Sequence, residues 1–233
     1  MNAIEHDFVD PEALAQALAQ AIANDLRAGV EARGAALLAL SGGNTPRRFL
    51  EILAQQSLDW SRVTVTLADE RWVPPSDARS NERLLRETLL RGSASMAKFV
   101  PLYVAAVDPE AAQATIAANI AKLSLPFDAV VLGMGLDGHC ASLFPGGDHL
   151  AEALRADSDT RVLPMRAPEA TEARVTLTLS ALVSTRAMYL NIEGVAKKAV
   201  LDHSLDGDPQ FAETPIRAVL HHSPVTPEIF WCP

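Results

Sequence analysis

Asp137 and His139 sit two residues apart in the run Leu132-Gly133-Met134-Gly135-Leu136-Asp137-Gly138-His139 and are the pair in this chain best suited to move a proton. An imidazole exchanges protons near neutral pH, and a carboxylate beside it can fix its tautomer. The run follows the apolar stretch Phe127 to Val131, which places the pair on a glycine-rich turn at the end of a buried strand. Open α/β sheets keep their ligands at such ends. A second apolar stretch, Ala35 to Leu40, runs into Ser41-Gly42-Gly43-Asn44-Thr45-Pro46. There Thr45 reads as a helix N-cap and Pro46 as the first helical residue, so free backbone N–H groups would face the turn and suit a phosphate. A third strand, Arg62 to Ala68, ends in Asp69-Glu70-Arg71-Trp72-Val73-Pro74-Pro75. If these strands are parallel, Ser41 to Thr45, Asp69 to Arg71, and Asp137 with His139 share one edge of the sheet and line one crevice. Arg174, at the start of Arg174 to Leu179, and Lys197, just after the strand ending near Ile192, join Arg71 as cations able to neutralise an anionic ligand there.

Competing readings of the same residues are mostly weaker. Gly133, Gly135 and Gly138 match G-x-G-x-x-G, but a dinucleotide site needs a helix directly after the third glycine. Pro145-Gly146-Gly147 leaves little room for one. The Ser41 turn lacks the Gly-Lys-Ser/Thr ending of a nucleotide-binding loop. Cys140 beside His139 reads as a small buried thiol rather than a nucleophile. His221 and His222, with Asp69, Asp137 and His139, lack the spacing of a metal centre, so neither metal nor cofactor is expected. His6, His149 and His203 read as surface residues. Taken alone, Asp69-Glu70-Arg71 would be a solvated turn with an internal ion pair, Lys197 an ordinary helix-surface residue, and Arg174 the cap of an edge strand.

The elements that position these groups alternate between helix and strand along the chain, which predicts an α/β fold with a mostly parallel sheet flanked by helices. Helices are predicted from Pro11 to about Arg33, near Pro46 to Gln55, from Ser80, from Pro109 to Leu123, and from Val195 to about His203. Strands are predicted at Arg161 to Met165, Arg174 to Leu179 and Met188 to Ile192, and Asp202 to Pro215 reads as a loop. With 48% hydrophobic residues in 233, the whole chain, 1–233, is read as one large domain. The net charge of −9 argues against a general nucleic-acid or anionic-membrane surface, so an anionic substrate needs a local cluster of cations. Two cysteines are too few for a disulfide framework, and no charged leader with an apolar run opens the chain, so a cytoplasmic setting is expected. No apolar run reaches the roughly 18 residues of a membrane span. Chain length and the lack of an obvious exposed apolar helix point to a monomer.

Four ordered motifs together resemble the glucosamine-6-phosphate isomerase/6-phosphogluconolactonase family. They are Ser41 to Pro46, Asp69 to Pro74, Ser80-Asn81, and Gly133 to Pro145. The resemblance covers essentially the whole chain and implies the Rossmann-like fold shared with glucosamine-6-phosphate deaminases. It lies closest to the lactonases, which implies hydrolysis of 6-phosphoglucono-1,5-lactone to 6-phosphogluconate in the oxidative pentose phosphate pathway. Deaminases of the family would carry a Phe-Asn-Glu-Pro-like run after the histidine where this chain has Ser142-Leu143-Phe144-Pro145, and an aromatic residue after Asp-Glu where it has Arg71. Cys140 departs from the threonine or other small residue expected at its position. A non-catalytic sugar-phosphate sensor on this fold would have no need of Asp137 and His139 together. By this resemblance His139 is the base acting on water, with Asp137 or Asp69 orienting it, Asp69 alternatively binding sugar hydroxyls, and Arg71 stabilising charge near the lactone or its phosphate. Ser41, Gly42, Gly43, Asn44 and Thr45, with Arg174 and Lys197, would hold the 6-phosphate.

Overall fold

Secondary structure follows local signals closely where those signals are strong. The computed structural model describes residues 3–43, 45–211 and 213–233. Its first half runs through β1 (Ile4–Asp7), α1 (Pro11–Arg33), β2 (Ala36–Leu40), α2 (Arg47–Leu53), β3 (Val63–Leu67), β4 (Asp69–Arg71), α3 (Asn81–Thr88), β5 (Lys98–Val100) and α4 (Pro109–Ile120). There follow β6 (Ala129–Leu132), α5 (Leu150–Ala153), β7 (Val162–Met165), β8 (Arg174–Leu177), α6 (Leu179–Leu182), β9 (Met188–Glu193), α7 (Val195–Asp206), α8 (Pro215–His222) and β10 (Glu228–Cys232). Asp10 and Asp108 cap α1 and α4, each accepting a backbone N–H at 2.8 Å ahead of a proline in the first turn. Gly34, at φ 76°, ends α1 in the left-handed conformation that a side chain would disfavour.

Seven strands form one wholly parallel sheet in the order β1-β10-β9-β6-β2-β3-β5. The inner strands β2 and β6 are buried at every position, as strands covered on both faces must be. Against the sheet, α1 lays the stripe Leu14, Leu18, Ile22 and Leu26, all buried. From β2 the chain builds outward through β3 to β5; from β6 it builds the other way through β9 to β10. The carboxyl ends of the adjacent strands β2 and β6 therefore flank the point where strand order reverses, the place where such sheets open a crevice.

A second sheet, β4-β8-β7, is antiparallel. It corrects the reading of Asp69-Glu70-Arg71 as a solvated turn. Ala68 donates to Leu40 O in the large sheet at 2.8 Å and accepts from Leu177 N of the small one at 2.8 Å, so the chain changes sheets at one residue. Three other readings shift. Arg174 to Leu179 ends as a strand at Leu177, and α7 continues through Asp206 into the segment read as loop. The helix after Ser41 begins at Arg47 with Pro46 as its cap and no side-chain capping bond, so Thr45 is not the N-cap. No helix among the described residues is long and apolar enough to cross a membrane.

Candidate active site

Beyond β6 the chain turns back on itself: Gly135 N donates to His139 O at 2.9 Å, and Gly138 adopts φ 76°. The turn brings the His139 ring and the Asp137 carboxylate so close over Gly135 that a Cβ there would collide with both. His139 Nδ1 lies 2.5 Å from Asp137 Oδ1, and the same oxygen accepts the His139 backbone N–H at 3.2 Å. Burial pushes the Asp137 carboxyl up, but the hydrogen bond and charge of His139, with backbone N–H groups, outweigh it and hold the carboxyl below its ordinary value. The Phe144 ring packs against the imidazole at a centroid distance of 4.4 Å, tilted by 38°. His139 Nε2 has no hydrogen-bond partner among the described residues.

The small sheet contributes the cations. In the antiparallel pairing of β4 with β8, Arg71 lies directly opposite Arg174, an arrangement that like charges disfavour. Burial pushes the Arg174 guanidinium down, Arg71 adds to the effect, and Asp69 opposes it. Its guanidinium stands over the Phe144 ring at 5.5 Å, and its nearest carboxylate is Glu172 at 3.8 Å. What holds this charged strand inside is a set of donors. The fully buried Glu70 carboxylate accepts backbone N–H bonds from Arg71 at 2.8 Å, Asn81 at 2.7 Å and Glu82 at 2.7 Å, and the Ser80 hydroxyl at 3.1 Å. Burial pushes its carboxyl up to about 7, a rise that the three backbone N–H groups oppose and the Asp69 carboxylate reinforces. Asp69 itself accepts the Ser142 hydroxyl at 2.5 Å. Of the two carboxylates considered for orienting His139, Asp137 makes the contact.

The turn after β2 closes the third side. Gly42 lies against the Asn81 side chain, which leaves no room for a Cβ, while the Asn81 amide donates to Asp69 O at 2.9 Å. Asn81 thus ties the Ser41 turn to β4. Asn44, expected in the phosphate seat, lies outside the described residues. Lys197 is half-buried in the first turn of α7.

These parts enclose a cavity of about 350 Å³ at the switch point. Ser41, Gly42, Gly43, Thr45, Asp69, Arg71, His139, Arg174 and Lys197 all line it; Asp137 stands behind His139, and His221 and His222 do not reach it. Sequence reasoning gave no site role to Phe144 and Asn81, although both fall in the motifs that carry the resemblance, and missed Asn191 and the exposed Glu169 at its wall. A signal existed for Asn191, the one amide in the apolar strand Met188 to Ile192. Cys140 is buried, and burial pushes its thiol up, away from nucleophilic use. His6, read as a surface residue, is half-buried and 2.8 Å from Glu228. Four buried side-chain polar atoms lack a partner among the described residues: Ser41 Oγ, Arg71 Nε, Arg174 Nε and Asn191 Oδ1. All four belong to residues lining the cavity. Folded proteins rarely leave such atoms unpaired, and their convergence here marks a site prepared for a polar, anionic ligand.

A parallel α/β sheet with a cationic cavity and a histidine–carboxylate pair at its switch point defines a protein that acts on small anionic molecules. More narrowly, the chain belongs to the glucosamine-6-phosphate isomerase/6-phosphogluconolactonase family, whose model matches residues 9–231. A 6-phosphogluconolactonase of Rhizobium meliloti is 49% identical over 234 residues, spanning the full length of both chains. One of Pseudomonas putida is 45% identical over 98% of this chain and 92% of its own. The crystal structure of a 6-phosphogluconolactonase from Shewanella baltica superposes with a TM-score of 0.94 at 41% identity, covering 99% of this chain and 98% of that one. A monomeric glucosamine-6-phosphate deaminase shares the fold, with a TM-score of 0.78 at 18% identity over 98% of this chain and 97% of its own.

Proposed function

We propose that this chain hydrolyses 6-phospho-D-glucono-1,5-lactone to 6-phospho-D-gluconate in the oxidative pentose phosphate pathway, with His139 as the base. The observation that carries the mechanism is the 2.5 Å contact of His139 Nδ1 with Asp137, which leaves Nε2 unpartnered beside a cavity holding Arg71 and Arg174. The full-length likeness to lactonases supports the substrate. A lactone carbonyl is electrophilic enough for water to attack once a base takes a proton. Water oxygen bonds to C1 as its proton passes to His139 Nε2. Asp137 holds Nδ1–H toward itself and stabilises the imidazolium that forms. The oxyanion is met by a cationic donor, for which Arg71 is placed. When the bond from C1 to the ring oxygen breaks, the proton on His139 goes to that oxygen, which becomes the 5-hydroxyl. Ser41, Gly42, Gly43 and Thr45, together with Asn44, Arg174 and Lys197, hold the 6-phosphate, and Asp69, fixed by Ser142, is left to bind sugar hydroxyls.

Phe144 supports hydrolysis over deamination: an aromatic ring packs on His139 in the run where the deaminase pattern carries its glutamate. We further place the protein in the cytoplasm as a monomer of one domain, 1–233, with no nucleic-acid or membrane partner, needing no metal or cofactor. The decisive experiment follows decay of freshly generated lactone near neutral pH with the protein, with His139→Ala, and with no protein. Acceleration lost in the variant is expected; a wild-type rate equal to the spontaneous one would refute the activity.

A further inference from the structure

Three of the four unpartnered atoms around the cavity are donors or hydroxyls, and one is not. Arg71 Nε and Arg174 Nε each bring an N–H that calls for an acceptor, which an anion supplies; Ser41 Oγ serves either way. Asn191 Oδ1 is an acceptor only. Asn191 is 4% exposed, in mid-strand of β9, where its backbone pairs with β10 and the neighbouring Leu190 pairs with Leu132 at the end of β6. Its place beside Gly133 puts it at the root of the turn that carries His139, and it lines the cavity. Among the described residues nothing answers this oxygen.

An unanswered buried acceptor costs stability, and an apolar residue at this point of an otherwise apolar strand would avoid the cost. The group that completes it must donate a proton, and the amide Nδ2 beside it, which makes no hydrogen bond among the described residues either, calls for an acceptor; a hydroxyl serves as both, whichever way the amide is turned. On a phosphorylated sugar lactone the carbonyl, the ring oxygen and a phosphate dianion have none to give; only the ring hydroxyls do. We propose that Asn191 reads a ring hydroxyl of the sugar, accepting its proton at Oδ1, and so sets the enzyme's preference for a fully hydroxylated lactone. This rests on the lactone reading given above. A site built to hydrogen-bond a hydroxyl rejects the analogue lacking it far more strongly than an apolar pocket rejects an added group.

The test compares kcat/KM for the parent lactone and its 2-deoxy, 3-deoxy and 4-deoxy analogues in wild type, Asn191→Leu and Asn191→Ala, and measures thermal unfolding of each protein without ligand. Wild type should lose about 10- to 100-fold on one analogue, because removal of the donor leaves Oδ1 unpaired in the complex. Asn191→Leu should lose a similar factor on the parent and nothing further on that analogue. Its ligand-free Tm should rise by about 2–4 °C, since the unpaired acceptor is gone. The proposal falls if the variants discriminate among the lactones as wild type does, if wild type prefers none of them, or if the ligand-free Tm of Asn191→Leu drops, which would mean that the amide serves the fold. Wild type inert toward every lactone would sink the lactone reading alone. The unfolding measurement would then still decide whether Oδ1 is an acceptor held for a ligand.

Discussion

An aspartate stands near each end of β6, buried at one and exposed at the other, and the molecule treats the two ends in opposite ways. Just before the strand, Asp128 is 5% exposed with its oxygens occupied: Oδ2 accepts Leu37 N–H at 2.7 Å, and Oδ1 is bonded to Arg33, with Arg186 Nε 3.8 Å away. Just after it, Asp137 and His139 pair with each other, and around them lie all four of the unpartnered buried atoms. One end has its polar groups satisfied by the chain, and the other holds them for something the chain lacks. The carboxyl end therefore tolerates a local cost that a bound ligand would relieve.

Exchange of effects between the two ends would break this contrast. His139→Ala should lower kcat by about 10²- to 10⁴-fold, the usual contribution of a general base, with little change in KM or in Tm. Asp128→Ala should do the reverse. It strands the Leu37 N–H and the Arg33 guanidinium, and because Arg33 is 40% exposed the loss stays below that of a fully buried pair, at about 2–3 kcal/mol. Thermal unfolding should show a Tm lower by about 4–12 °C, with kcat of the folded fraction unchanged. A lactonase rate that collapses in Asp128→Ala at temperatures where it remains folded would mean that the two ends are coupled.

The same contrast explains how far the chain could be read before its structure. Apolar runs such as Ala36–Leu40 and Ala129–Leu132, and caps such as Asp10 with Pro11, announce themselves because burial and capping need particular residues at fixed spacing. The crevice followed once those strands were parallel. Strand β4 was illegible: Asp69-Glu70-Arg71 has no apolar residue, and its burial depends on donors from Ser80, Asn81 and Glu82 that no local pattern reveals. The short edge strands β1 and β5, and β10 between β1 and β9, went unread because their pairing is a property of the sheet rather than of their own residues. Motif spacing pointed to His139, Arg71 and Arg174, yet the facing of the two arginines across β4 and β8 needed the second sheet. Asn191 stood out as the one amide among apolar neighbours, but only the fold shows that it reaches the crevice.

That facing gives a smaller effect with which to sharpen the comparison. If Arg174 holds the phosphate as proposed, Arg174→Ala should raise KM about tenfold with kcat nearly kept, as should Lys197→Ala. It also separates two like charges set opposite each other. The ligand-free protein should consequently lose no thermal stability, and protection by inorganic phosphate in the same unfolding assay should weaken. A KM unchanged by Arg174→Ala would move the phosphate seat away from the small sheet.

Asp137 should give the smallest stability effect, and one whose sign depends on pH. Its carboxyl is held below the ordinary value of 3.8, because the His139 hydrogen bond and charge outweigh the upward push of burial. The folded protein therefore binds this proton less tightly than the unfolded chain does. Ionised Asp137 adds stability at every pH above the unfolded value, and the addition is lost as pH falls through the folded one. Asp137→Asn lacks it, so the urea midpoint of the variant should lie slightly below that of wild type at pH 7, and the gap should close toward pH 3. In the same variant kcat at pH 7 should fall, since an amide holds the His139 tautomer less firmly than a carboxylate does. A gap at pH 7 as wide as that of Asp128→Ala would show that Asp137 carries the fold as well as the chemistry, and the two ends of β6 would no longer differ in kind.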